Sequence, residues 1–206
     1  VGVLAGYGGA DLAEDDPAVI PTARPLAAES PSYPVTEYDV RPDPRAPALR
    51  PGIALRPVTL RVGDLWVRVA VPPDWRKVPL APVPFSSWNF SPRDAPTNTY
   101  LLRISLLGTA RQSVSVARLA RMAALEDAEA NGDSQDLDFE AQDVDSFAAT
   151  FIDGGGYRRL TFERFLPFPG TNIAAVEIAV NGREVDRAGL ADLLARVVAS
   201  VKLPRG

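Results

Sequence analysis

The chain has no cysteine and no histidine among its 206 residues. Their absence removes a cysteine nucleophile, a disulfide, a Ser-His-Asp triad, an axial haem histidine and the usual zinc ligand sets. Lysine is scarce too: of 22 basic residues all but Lys77 and Lys202 are arginine, and they are scattered among 26 acids for a net charge of −4. A nucleic-acid footprint needs a basic stripe, so no nucleic-acid partner is expected. Lack of cysteine suits an exported chain without disulfides as well as a cytosolic one, and leaves the compartment open. Missing as well are G-x-x-x-x-G-K-[ST], G-x-S-x-G and a G-x-G-x-x-G that opens a helix. The glycines of Asp153-Gly154-Gly155-Gly156 stand before a strand pattern, despite Arg158 and Arg159 beside them, and read as a hairpin turn. No cofactor is expected, and the chain is read as a non-enzyme.

What is abundant is proline. From Asp16 to Pro57 one occurs every few residues, with no helical or strand period between. Such a stretch cannot donate a regular ladder of backbone hydrogen bonds, so residues 1–57 are expected to be an extended tail or stalk, and residues 58–206 a compact domain. A domain of that size buries roughly two-thirds of its unfolded surface. The sequence begins at Val1 with "VGVLAGYGG", small and apolar, before "ADLAEDDP" turns acidic. This is read as the outer end of a membrane helix or export signal whose beginning is missing, since nine residues cannot span a bilayer; a chain cut inside a loop explains the same letters.

Within residues 58–206 the periods are legible. "VTLRV" (58–62) and "LWVRVAV" (65–71) alternate around Gly63 and Asp64, which suit a tight hairpin, and Pro72 and Pro73 end the ladder. Trp75, just past that stop, is expected to fold back as a plug over a sheet edge or a helix end. Further strands are predicted at 86–90, 99–108, 146–152, 157–165 and 173–180. A helix opens near Ser113 or Ser115 and stops at Gly132, with Arg118, Arg121, Glu126 and Glu129 mostly facing water. Another is capped by Asp186 and carries Leu190, Leu193, Leu194, Val197, Val198 and Val201 as one apolar stripe. The fold class is therefore α+β, an antiparallel sheet layered with two main helices.

Two groups of acids invite a chemical reading. "DAEANGDSQDLD" (127–138) approaches a calcium loop, with Asp127, Asn131, Asp133 and Asp138 as ligand candidates, but Glu129 at position three and Ser134 at position eight depart from the pattern. An Asn-Gly helix stop followed by an acidic surface loop explains the same residues, and no metal is expected. Glu163 and Glu177 stand on predicted neighbouring strands, as a glycosidase pair would, although isolated strand acids usually occupy a solvated face.

The order of elements, with "VAVPPDW" closing the first hairpin and "VVASVKLP" closing the last helix, resembles the PsbP-like fold, including the LpqN-type actinobacterial lipoproteins. The resemblance covers about residues 58–204. It implies an extracytoplasmic, non-catalytic domain held near a membrane, a protein partner there, and a role as accessory or scaffold subunit of a membrane or cell-envelope complex. There is no lipobox cysteine, so an upstream protein anchor is expected instead of a lipid. In the tail, Tyr33, Val35, Tyr38, Val40 and Leu49 are apolar or aromatic residues among prolines and are the expected partner anchors. The alternative is a module that binds a small ligand or lipid in an apolar groove lined by Trp88, Phe147, Phe151 and Phe162.

Overall fold

The computed structural model describes residues 37–78, 86–94, 99–108 and 110–204. Tyr33 and Val35 lie outside the described residues. Strands β1 (Arg56–Val62) and β2 (Leu65–Val71) pair antiparallel, with Val62 opposite Leu65. Gly63 takes the left-handed conformation (φ 57°) that this two-residue turn requires. Strands β3 (Trp75–Val78), β4 (Ser87–Pro92), β5 (Leu101–Leu106), β6 (Ser134–Gln142), β7 (Ser146–Asp153), β8 (Arg158–Pro167) and β9 (Ala174–Gly182) form one antiparallel sheet in the order β3-β4-β5-β9-β8-β7-β6. Two helices, α1 (Val114–Ala130) and α2 (Arg187–Ala199), complete an α+β architecture. The first hairpin is thus its own two-stranded sheet and packs onto the seven-stranded one. Among the described residues no helix is long and apolar enough to cross a membrane.

Alternation divides the large sheet into two different faces. One is mainly apolar: Leu102 and Ile104 of β5, Val176, Ile178 and Val180 of β9, Leu160 of β8 and Trp88 and Phe90 of β4 meet Val67, Val69 and Val71 of β2 and the stripe of α2. Leu190, Leu193 and Val197 are fully buried there, while Leu194, Val198 and Val201 are partly buried at its margin. Each such side chain contributes about 1.5–3 kcal/mol of burial. The opposite face carries a smaller cluster, in which Ala117, Met122 and Leu125 of α1 cover Phe147, Ala149, Phe165 and Ala174.

Two strands stand where none was expected. Trp75 opens β3, buried against Tyr100 with ring centroids 5.6 Å apart, so the tryptophan past the diproline belongs to an edge strand instead of plugging one. The predicted acidic loop after α1 is β6, which pairs with β7 from Ser134 opposite Asp153. Leu137 and Phe139 of β6 point to the α1 cluster, and the alternating, exposed Asp138 and Glu140 keep this edge strand polar outside. A register shift occurs between Gln135 and Asp138, where Asp136 adopts φ 53°.

The compact unit spans Glu37–Gly206, so residues 37–57 are part of the body. Up to Leu55, before β1 begins, prolines deny this segment a regular ladder, and side chains of the domain satisfy several of its carbonyls instead. Arg183, buried at the end of β9, donates to the carbonyls of Pro44 (3.1 Å), Ala46 (3.2 Å) and Pro47 (3.1 Å) while pairing with Asp186. Asp186 in turn accepts the Leu49 amide at 2.8 Å, and Arg196 donates to the Ile53 carbonyl at 2.8 Å. Leu49 is 6% exposed and lies so close to α2 that a Cβ on Gly189 would stand 2.1 Å from its carbonyl oxygen.

Candidate functional site

The polar chemistry is concentrated on the α1 side of the sheet. Register places Arg103 of β5 and Glu163 of β8 on either side of Ala179 in β9, and Glu177 of β9 one step along between Ser105 and Phe165. Because Ala179 is small, the Arg103 side chain crosses over it: Nη2 reaches Glu163 Oε2 at 3.2 Å, and Nε and Nη2 both donate to Glu177 Oε1. From above, Arg121 of α1 grips the Glu163 carboxylate with Nε (3.2 and 3.1 Å) and Nη2 (3.1 Å), and Thr161 donates to it at 3.3 Å. Glu163 is fully buried and Glu177 nearly so, whereas Arg103 and Arg121 keep about a fifth to a quarter of their side chains exposed (21% and 26%).

Their titration follows from these contacts. Burial pushes the Glu163 carboxyl up, but Arg103 and Arg121 outweigh it and hold the group below the usual carboxylate range. For Glu177 burial wins: it exceeds the pull of Arg103, Glu163 adds its repulsion, and the carboxyl is raised. Arg103 is raised further above its ordinary value, since the two carboxylates overcome its own desolvation. The pair expected as solvated strand acids is therefore an internal ion cluster. Both carboxylates are committed to arginines, an arrangement that leaves little freedom for acid/base work.

Beyond α1 the same face opens into a cleft of about 270 Å³. Arg103, Arg121, Asp153, Arg159 and Asn181 give it polar walls, and Leu101, Tyr100 and Phe151 give it an apolar side. Arg159, 5% exposed, is fixed by Asp153 (2.9 Å) and Asp43 (3.1 Å) and lies 4.8 Å from the Tyr157 ring centroid. Its Nη2 is buried with no hydrogen-bond partner among the described residues.

Most residues singled out from the sequence lie elsewhere. Phe151 lines the cleft, and Phe147 sits under α1 against Phe139 and Phe165. Trp88 and Phe162 are on the other face, so these four aromatics do not form one groove. Leu49 is seated in its own chain's core, whereas Tyr38 and Val40 are exposed. Asp127 lies in α1, Asn131 is its C-cap, Asp133 is in the turn and Asp138 is on β6 opposite Thr150, so they make no continuous calcium loop. Among the described residues no group of three or more acids is placed to hold a metal.

The cleft arginines escape a reading by residue type, because arginine is ordinarily a surface residue. The signal was periodic. Arg118, Arg121, Met122 and Leu125 stand at i, i+3, i+4 and i+7, a single helix face, and the buried Met122 and Leu125 mark it as the inward one. Arg159, Thr161, Glu163 and Phe165 likewise alternate along β8 on one face. No protein-family model matches this chain, and no curated protein matches it either.

Proposed function

We propose that the chain is a non-catalytic binding domain of the cell envelope that seats a small ligand in the cleft beside α1. One observation carries this reading: α1 covers Phe147 and Phe165 on its sheet face and leaves a cleft beyond Arg121 whose floor is already paired and buried. A floor held by its own ion pairs needs little reordering when a ligand arrives, which lowers the cost of binding. The non-catalytic reading is supported by Glu163 and Glu177, which serve Arg103 and Arg121. The envelope address is supported by the resemblance of the element order and of "VPPDW" to PsbP-like domains.

Exposed Tyr38 and Val40, 37% and 40% accessible at the start of the compact unit, favour a second reading as accessory subunit of a membrane or envelope protein complex. Titrating the isotope-labelled chain with fractions of an envelope small-molecule extract tests the first reading. Amide shifts confined to Leu101, Arg103, Phe151 and Asn181 are expected. An unmoved cleft, with Tyr38 and Val40 broadening when solubilised membrane protein is added, would replace it by the second.

A further inference from the structure

The donors at the cleft are not used equally. Arg103 and Arg121 each spend Nε and Nη2 on the buried carboxylates. The Nη1 of each makes no hydrogen bond among the described residues, and both side chains, 21% and 26% exposed, line the cleft. A third donor, Arg159 Nη2, is buried nearby without an acceptor among the described residues, on a side chain that is more than nine-tenths covered. Of the acids nearby, Glu163 is fully buried and Glu177 is 6% exposed on the inner side, whereas Asp153 lines the cleft itself with Oδ2 committed to Arg159 and Oδ1 to the Gly155 and Tyr157 amides. Coulomb attraction falls with distance, so an anion at the outer guanidinium edges feels the arginines more strongly than the carboxylates behind them. Burial also raises the Glu177 carboxyl above its ordinary range. Across the cleft, Phe151, Leu101 and Tyr100 offer an apolar wall.

We infer that the cleft takes a small organic acid, a carboxylate or phosphate monoester with a compact apolar body, its oxyanion on the outer edges of Arg103 and Arg121 and its body against Phe151 and Leu101. Planar guanidiniums match two-oxygen acceptors of this kind, and ion pairs that lock the opposite edge of each arginine fix their orientation in advance. At about 270 Å³ the space is close to the lower limit of about 300 Å³ for small-molecule sites, which restricts the body to roughly one ring. This inference rests on the ligand-binding reading above and specifies its chemistry.

The test uses benzoate and phenyl phosphate against their uncharged counterparts benzamide and phenol, followed on the arginine Nε–H and Phe151 resonances of the unmodified chain. Benzoate, phenyl phosphate or both are expected to move the Arg103, Arg121 and Phe151 signals at millimolar concentration, with the neutral compounds at least about tenfold weaker. Arg121→Gln should weaken the anion about tenfold or more, whereas Arg61→Gln on the first hairpin should change nothing. Neutral compounds that bind the cleft as well as the acids would overturn the oxyanion assignment and leave the ligand site standing. If none of the four moves a cleft signal, both the assignment and the ligand site fall. The unmodified chain decides between these outcomes even if Arg121→Gln does not fold.

Discussion

Glu163 and Glu177 lie on neighbouring strands, share Arg103 and have opposite titration behaviour, so they answer differently to the same substitution. Glu163, held below the usual range, contributes stability that is present above the unfolded carboxyl value of about 4.3 and is lost as pH falls through its folded value. Glu177, raised, behaves in reverse: its contribution is complete below the unfolded value and is lost as pH rises through the folded one. Glu163→Gln is therefore expected to destabilise by about 3 kcal/mol near neutral pH, because two arginines lose their buried partner, and by less in acid. Glu177→Gln, which mimics the neutral form, should be neutral or mildly stabilising near neutral pH. Urea melts of both variants near neutrality and near about pH 4 distinguish them; equal losses at both pH values would refute the assignment. Gly189 supplies a purely steric counterpart. With the Leu49 carbonyl oxygen 2.1 Å from the point where an added methyl group would stand, Gly189→Ala should cost about 1–3 kcal/mol despite its better helix propensity, read as a drop in Tm of about 2–4 °C per kcal/mol.

Among the elements, α2 was the most legible because its stripe is strictly periodic and fully buried at Leu190, Leu193 and Val197. Leu193→Asp places an unpaired carboxylate at 0% exposure and is expected to abolish the cooperative melt; Leu194, at the margin of the stripe, should tolerate the same change better. The elements that escaped the sequence did so for identifiable reasons. Strand β6 carries its apolar residues as Leu137 and Phe139 within a run of acids, so composition concealed a period of two. Strand β3 has four residues, too few to show any period, and begins just after two prolines. On α1 the apparent polar face was the inward one: Arg118 and Arg121 turn toward the sheet, while Val116 and Leu119 are 50% and 54% exposed. Hydrophobicity alone misorients a helix whose buried partner is a carboxylate.

At the scale of the molecule, the sheet-and-helix body was readable, whereas its beginning was not. Proline density argues correctly that residues 37–55 form no regular ladder, yet it is silent about side chains that replace one. Arg183, Arg196, Asp186 and Asp192 lie more than a hundred residues downstream of the groups they bind, and local pattern carries no trace of such pairing. A chain starting at Glu37 is therefore expected to melt cooperatively, and one starting at Val58 to melt lower by several degrees, since it loses Leu49 and leaves Arg183 without its three carbonyl acceptors. Identical melting of the two would show that the segment adds nothing to the fold.

The way this segment is fastened also separates order from protection. Its carbonyls are held by guanidiniums, but few of its amides are bonded: Arg41, Leu49 and Gly52 have acceptors in Gly156, Asp186 and Asp192. Deuterium should therefore enter at Arg45, Ala46 and Ala48 within the dead time of an exchange experiment, as in an unfolded peptide, while Leu49 exchanges slowly beside them. Fast labelling across all of these positions, Leu49 included, would mean that the strap peels away from α2 as a unit.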